Sequence, residues 1–180
     1  REEFKNAITN ADYITFDLGV NNFGGFVSQR LLTRGTPDEV QVDYAHILSD
    51  SQLTLFNTAK DAMSKIISKL ADDETADTVN YMLDTLAYAY VGFIVNFDAC
   101  MEKIYELNPC VDMTVVSIMN LMEGLSADIG DITVPFGDLF GVVIDLANNH
   151  MANICCYKYK YSYESRTDIR KELCIDEDTL

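Results

Sequence analysis

A short apolar run constrains the fold of this chain more than any other feature. Val111 to Ile118 reads V-D-M-T-V-V-S-I, with Asn108-Pro109 just before it. A nearly continuous, β-branched run of this length is typical of a strand covered on both faces of a parallel sheet. Because parallel strands are joined by crossover helices, the run predicts helices before and after it in the sequence.

Helical and strand patterns do alternate around this run. Helical periodicity extends from Ser51 to Leu70, resumes from Leu83 to Ile104, and returns from Phe136 to Cys155. Strands are predicted at Tyr13–Leu18 and, where Tyr alternates with Lys or Ser, at Tyr157–Tyr163. This alternation predicts an α/β fold with a parallel sheet, arranged as a three-layer α/β/α sandwich.

The remaining segments complete the predicted organisation. A helix is predicted at 2–10, a loop-rich region at 19–48 with one helix near 25–33, and a loop at 119–135. We expect one domain over residues 1–165, with a helical insertion at about 50–107, and a charged, exposed tail at 166–180. The inserted helices either cap a crevice or simply cover one face of the sheet.

The charge balance excludes several kinds of partner. Thirteen basic and 29 acidic residues give a formal net charge of −16 at pH 7. We predict no nucleic-acid partner, since a phosphate backbone repels such a chain, and an anionic membrane surface repels it too. No transmembrane segment is predicted, because Asp84 and Asp98 bracket an apolar stretch that is too short to span a bilayer.

The cysteines and histidines do not predict a metal or redox site. No C-x-x-C pair is present, and His46 and His150 are far apart in the sequence. The acidic residues at 72–77 lack the spacing of an EF-hand and are interpreted as a helix junction. We expect free thiols and no cofactor. The five cysteines are Cys100, Cys110, Cys155, Cys156 and Cys174.

The tyrosine-rich segment Tyr157–Tyr161 leaves two interpretations open. Its tyrosines, which alternate with Lys158 and Lys160, could stack on sugars or bases. Alternatively, they form one side of a plain amphipathic strand, which their period-two spacing favours.

Chemistry is best placed at the end of the first predicted strand, where Gly19-Val20-Asn21-Asn22 follows Leu18. Ligand sites of parallel sheets gather at the carboxyl ends of the strands. Gly19 allows a sharp turn, and the Asn21 amide can donate a hydrogen bond in the manner of an oxyanion hole. The alternative is that Asn21 is a structural turn residue.

Two segments resemble the SGNH (GDSL-type) esterase and lipase family. The stretch from Ala11 to Asn22 is similar to the family's third block, an apolar strand followed by G-x-N-D. The turn Leu107-Asn108-Pro109, the strand Val111–Ile118 and Asn120 are similar to a family helix that ends in L-N-P before a core strand. The two matches together span roughly residues 1–165, in the family's order.

The resemblance implies a flavodoxin-like α/β/α sandwich that hydrolyses carboxylic esters. In the family, a Ser of an early G-D-S block attacks the acyl carbon, and a late D-x-x-H block supplies the His base and its Asp. By resemblance, Gly19 forms the turn of the third block and Asn21 is the side-chain donor of the oxyanion hole. Asn22 stands where the family has Asp. That Asp supports the loop and takes no part in the reaction steps, so the difference concerns the loop and not the mechanism.

The nucleophile and base blocks are missing from the sequence. Gly130-Asp131 and Gly137-Asp138 lack the serine of G-D-S, and no G-x-S-x-G occurs. Asp43-Tyr44-Ala45-His46 spells D-x-x-H but comes too early, and we interpret it as a chance match. His150 is interpreted as a partly exposed helix residue. We expect the chain to begin after the first two blocks and to end before the last.

Two functions follow as hypotheses. In the first, the chain is the central portion of a serine esterase or lipase that acts on a small-molecule, lipid or glycan ester. The 180-residue chain alone is then expected to be inactive. The second is a non-catalytic, acidic α/β binding or scaffold module. The resemblance favours secretion or the cell surface, whereas the odd free cysteines favour the cytoplasm. No localisation or oligomeric state is predicted.

Overall fold

The computed structural model describes residues 1–17, 19, 43–67, 76–129 and 132–164. Its helices are α1 (Glu2–Thr9), α2 (Tyr44–Ile47), α3 (Asp50–Ile67), α4 (Ala76–Leu107) and α5 (Phe136–Asn153), which a π-helix (Ile154–Tyr159) continues. Its strands are β1 (Tyr13–Phe16), β2 (Asp112–Val116), β3 (Ala127–Ile129), β4 (Ile132–Val134) and β5 (Ser162–Glu164). The helix expected near 25–33 and the tail at 166–180 lie outside the described residues.

The described residues form two compact units. One, the sheet unit, contains residues 1–17, 95–119 and 148–164. The other, the helical unit, contains residues 19, 43–67, 76–94, 120–129 and 132–147.

The sheet unit contains a parallel sheet in the order β1-β2-β5. Tyr13 pairs with Asp112 at one end, and Val116 pairs with Glu164 at the other. Helices separate these strands in the sequence, since α2, α3 and α4 lie between β1 and β2 and α5 lies between β2 and β5. The predicted α/β fold with a parallel sheet is confirmed.

One face of the sheet is buried and the other is partly exposed. Val115 is 0% exposed, and the Phe16 ring packs edge-on against Phe97 of α4 with 5.9 Å between the ring centroids. On the opposite face Tyr13 is 58% exposed, and Asp112 is also exposed. The burial expected on both faces of β2 is therefore complete on one face, whereas Thr114 and Val116 on the other face are half-buried and Asp112 is exposed.

The helical unit is built on one face of α3 and the first part of α4. A capping box opens α3, in which the Ser49 backbone N–H donates to Gln52 Oε1 at 2.9 Å. The Tyr44 ring of α2 stacks on Phe56 with 4.7 Å between the ring centroids. The helical spacing of the sequence predicted this buried face of α3. Its buried residues are Phe56, Ala59, Met63 and Ile67.

The third predicted strand is wrong in its first half. Residues 157–159 belong to the π-helix, and only Ser162–Glu164 form the strand β5. The chain turns between them at Lys160, whose φ of 64° is left-handed, while the Tyr161 N–H donates to the Cys155 carbonyl at 2.9 Å. Tyr159 and Tyr161 are buried and stacked on each other, whereas Tyr157 is 78% exposed, so the period-two spacing of the tyrosines does not reflect a strand.

The loop predicted at 119–135 contains a short antiparallel hairpin of β3 and β4. Asp128 pairs with Thr133 in this hairpin, and the Thr133 hydroxyl donates to the Asp128 carboxylate at 2.8 Å. Strands of three residues are too short for their side-chain alternation to be recognised in a sequence. In the described part of the chain, no helix has the length and apolar character required to span a bilayer.

Candidate functional site

Gly19 is the one residue of the predicted Gly19–Asn22 site that the structure describes. It is buried and has a φ of 122°, a value that residues with a Cβ rarely adopt. A glycine is therefore favoured at this position, which follows the strand β1. Asn21 and Asn22, which follow it, lie outside the described residues.

The carboxyl end of β2 is occupied by a buried hydroxyl. Ser117 follows the strand directly, is 6% exposed, and forms a side-chain hydrogen bond with Tyr163 of β5. Burial, reinforced by the nearby Cys155, raises the pKa of Tyr163 to about 12, although the Ser117 hydrogen bond opposes that rise. Tyr163 therefore remains a neutral phenol at physiological pH and cannot serve as a base for Ser117.

Asn148 of α5 holds the backbone that leaves β2. Its side-chain Nδ2 donates to the Ile118 carbonyl at 2.9 Å, and its Oδ1 accepts from the Ile118 N–H at 2.8 Å. The amide thereby makes the two backbone hydrogen bonds that a neighbouring strand would make if β2 continued to Ile118. This clamp fixes the path of the chain at the carboxyl edge of the sheet.

The two asparagines in the second family-like segment also bond to backbone. Asn108 Nδ2 donates to the carbonyls of Ile8 and Ala11, at 3.0 and 2.9 Å, and so ties the end of α4 to the start of β1. Asn120 donates to the Gly137 carbonyl at 2.9 Å and accepts from the Met122 N–H at 3.0 Å. Both residues are structural clamps in the described structure.

The second G-D pair of the sequence has a packing role. A Cβ on Gly137 would lie 2.3 Å from the carbonyl oxygen of Met122, which no side chain tolerates. Gly137 therefore permits close approach of the turn at 121–124 to the start of α5. The first pair, Gly130-Asp131, lies outside the described residues.

Two Asp–His pairs form. His46 Nδ1 lies 2.7 Å from Asp43 Oδ2, and the two side chains are 85% and 66% exposed. His150 Nε2 lies 2.7 Å from Asp98 Oδ1, and these side chains are 24% and 42% exposed. The first pair is the D-x-x-H of the sequence, and its two residues lie one helical turn apart on the exposed surface. The second joins two helices and was not predicted, because its partners are 52 positions apart.

The His150–Asp98 pair is the less exposed of the two. The imidazole also makes an edge-to-face contact with the Phe97 ring, with 6.3 Å between the ring centroids, in addition to its hydrogen bond to Asp98. The sequence signal that could have found it is Asp98 itself, a carboxylate within an otherwise apolar helix face. An Asp–His pair can orient a general base, but the described contacts of His150 include no hydroxyl or thiol.

The thiols of the described residues are not paired with one another. Cys100, Cys110 and Cys156 are exposed and free, whereas Cys155 is buried and free. Burial, and secondarily the neighbouring Cys156, raises the pKa of Cys155 to about 12, so its thiol is a poor nucleophile. Over the described ranges, no three His, Cys, Asp or Glu residues are arranged to hold a metal ion.

Comparisons with protein-family models, with curated proteins and with solved structures each find no match for this chain.

Proposed function

We propose that this chain is the central portion of an SGNH-type carboxylic ester hydrolase, whose complete domain is a three-layer α/β/α sandwich. The observation that carries the proposal is Gly19, which has a left-handed φ of 122° and follows β1, a strand of a parallel sheet that ends at Phe16. The family-like turn at Asn108 and the parallel pairing of β1 with β2 support it.

The proposed reaction is acyl transfer through a serine. A Ser hydroxyl from outside this sequence attacks the acyl carbon, and a His from outside it accepts the proton. The tetrahedral oxyanion then collapses, the alcohol leaves with that proton, and water hydrolyses the acyl-enzyme by the same steps. By resemblance, Asn21 donates to the oxyanion and Gly19 shapes the turn that presents it. The substrate is a small-molecule, lipid or glycan ester.

The test removes the donor in the protein encoded by the complete gene. We expect Asn21→Ala to lower kcat on p-nitrophenyl acetate by about 10²–10³, the usual cost of one oxyanion donor. Asn57→Ala, on the exposed side of α3, is the matched control and should leave kcat unchanged. Unchanged turnover in Asn21→Ala, with a thermal melt like that of the wild type, contradicts the proposal.

The chain of 180 residues should itself be inactive. We expect a fluorophosphonate probe, which labels activated serines, to leave it unmodified because no G-D-S serine is present. Labelling of the purified chain would show that one of its own serines is the nucleophile, and the proposed source of the nucleophile would then be wrong.

A second candidate is a non-catalytic, acidic α/β binding or scaffold module. Asn120 and Asn148 favour it, since the amide of each hydrogen-bonds to backbone and therefore has a structural role. The two candidates differ in the flanking gene sequence. A strand followed by Gly-Asp-Ser upstream, and a D-x-x-H downstream, would support the esterase, whereas their absence would support the scaffold.

A further inference from the structure

The parallel sheet has an exposed face opposite the one that packs on α4. Because side chains alternate along a strand and the strands are in register, five residues share this outer face. They are Tyr13 and Thr15 of β1, Asp112 and Thr114 of β2, and Ser162 of β5. Thr114 is half-buried, and the other four are exposed. The outer face therefore offers one aromatic ring, one carboxylate and a row of three hydroxyls that crosses all three strands.

The Tyr13 side chain is attached to the sheet at both of its ends. Its backbone belongs to β1, and its hydroxyl donates to the Thr114 hydroxyl of β2 at 2.6 Å. Thr114 lies two residues beyond Asp112, with which Tyr13 is in register, so the side chain reaches diagonally to the neighbouring strand. The ring therefore lies across the two strands and does not extend into solvent. Tyr13 is still 58% exposed, so the outer side of its ring is available for stacking.

A carboxylate lies beside the Tyr13 ring. Asp112 is directly opposite Tyr13 in the register of β1 with β2, and neighbouring strands are about 4.8 Å apart. Asp112 is exposed, and in the part of the chain that the structure describes it pairs with no basic side chain. The carboxylate is therefore available to a ligand that stacks on the ring.

The charges of the outer face and of the whole chain favour a cation. None of the five residues of the outer face is basic, and the exposed Asp12 immediately precedes Tyr13. The net charge of −16 attracts cations to the chain and repels anions. A cation also gains from the Tyr13 ring, because the face of an aromatic ring carries partial negative charge.

Among biological cations, the arginine side chain fits this arrangement best. Its guanidinium is planar and always charged, stacks on aromatic rings, and can donate two parallel N–H bonds to a carboxylate. The lysine ammonium is a compact, strongly hydrated charge that gains less from a flat ring. A guanidinium that stacks on Tyr13 can direct its N–H groups to Asp112 on the next strand, so one side chain uses both features of the outer face.

We propose that the outer face binds an arginine-bearing segment of a partner protein. The guanidinium stacks on the Tyr13 ring and donates to the Asp112 carboxylate, and the exposed hydroxyls of Thr15 and Ser162 hydrogen-bond to the backbone of the segment. This role rests on the second candidate function, the binding module, because the second helix layer of a complete sandwich would cover the same face.

The test titrates the purified chain with hexaarginine and with hexalysine at low ionic strength, followed by NMR. We expect hexaarginine to bind with a Kd of about 1 mM or tighter and to shift the resonances of Tyr13 and Asp112. It should bind about 2–5-fold more tightly than hexalysine, because the guanidinium stacks on the exposed ring. Tyr13→Leu should abolish this preference. The control is Tyr157→Leu, at a 78% exposed tyrosine outside the outer face, which should preserve it.

A second variant separates recognition by the outer face from general attraction between opposite charges. Asp112→Asn keeps the shape of the side chain and should weaken hexaarginine binding about 2–5-fold. Asp145→Asn removes the same charge from an exposed position of α5 and should weaken it less than about 1.5-fold.

Three results would overturn the proposal: equal effects of Asp112→Asn and Asp145→Asn, an unchanged preference for hexaarginine in Tyr13→Leu, and absence of hexaarginine binding by the wild type. Thermal melts like that of the wild type confirm that the variants are folded. Any of the three results leaves the esterase proposal unaffected, since that proposal is tested by kcat in the protein encoded by the complete gene.

Discussion

At the scale of single residues, Gly137 is constrained more tightly than any other glycine whose surroundings the structure describes. Its missing Cβ leaves room for the carbonyl of Met122 and for the N–H of Gly124, which are backbone atoms and cannot rotate away. The Gly137 N–H also donates to the Leu125 carbonyl at 2.8 Å, so the glycine cannot shift without breaking a hydrogen bond.

Gly137→Ala should therefore destabilise the protein by about 1–3 kcal/mol, the usual cost of forced overpacking. The matched control is Gly92→Ala in α4, where a Cβ would meet nothing within 4 Å. That variant should gain up to about 1 kcal/mol from better helix propensity. Urea unfolding measures both changes, and equal stabilities for the two variants would contradict the packing argument.

Lys160 offers a second prediction at this scale. Its left-handed φ of 64° is unfavourable for a residue with a Cβ, and glycine adopts it freely. Lys160→Gly should stabilise the fold by about 0.5–1 kcal/mol, since relief of strain outweighs the entropy of the unfolded glycine.

The control for this change is Lys158→Gly, two residues earlier inside the π-helix. There glycine relieves no strain, so the protein should lose about 1 kcal/mol or less. Thermal unfolding of the two variants should move in opposite directions. A lower melting temperature for Lys160→Gly would show that the left-handed turn is held by contacts of the lysine side chain.

At the scale of elements, the sequence predicts best what depends on nearby residues. Pro109 and Asn108 end α4 where the sequence indicates, because proline cannot continue a helix. The buried face of α3 follows from helical spacing.

Elements that depend on distant partners were not predictable. Asn148 and Ile118 are 30 positions apart, and the residues next to each of them in the sequence do not predict their contact. The π-helix carries Tyr159, whose ring contacts Tyr105, 54 positions earlier, and stacks on Tyr161, and these contacts could not be foreseen from the sequence. The roles of Asn108, Asn120 and Asn148 were likewise not predictable, because each is defined by the backbone groups to which its amide hydrogen-bonds.

The Asn148 clamp supplies the prediction at this scale. Asn148→Ala leaves the N–H and C=O of Ile118 without partners and should destabilise the protein by about 2–3 kcal/mol. Asn149→Ala is the control, since that neighbour is exposed on the same helix and should change stability by no more than about 0.5 kcal/mol. Similar losses in the two variants would mean that the clamp contributes little.

At the scale of the whole molecule, stability should fall in alkaline solution. Burial raises the pKa of Cys155 from its ordinary value of 9.0 to about 12, and burial likewise raises the pKa of Tyr163 from 10.0 to about 12. Above pH 9.0 the unfolded chain has lost protons that the folded chain keeps. The unfolded state is thereby favoured, so stability is complete below this pH and decreases as pH rises towards 12.

Urea unfolding at neutral pH and at a pH above 9.0 measures this loss. Cys155→Ala should reduce the alkaline part of the loss while costing some stability at neutral pH through a small cavity. The exposed Cys156 provides the control, because Cys156→Ala should leave the slope against pH unchanged. A slope that is identical in all three proteins would show that other groups cause the alkaline loss.

The parallel pairing of β1 with β2 has a consequence for the order in which the chain acquires structure. Tyr13 and its hydrogen-bond partner Thr114 are 101 positions apart, whereas helices such as α3 are held by bonds between residues four positions apart. Contacts of high sequence separation require closure of a long loop and slow the folding of the whole chain. During synthesis, β1 leaves the ribosome long before β2 exists, and its edges must remain unpaired until then. We therefore expect the sheet to be the last part to form and the part most exposed to aggregation.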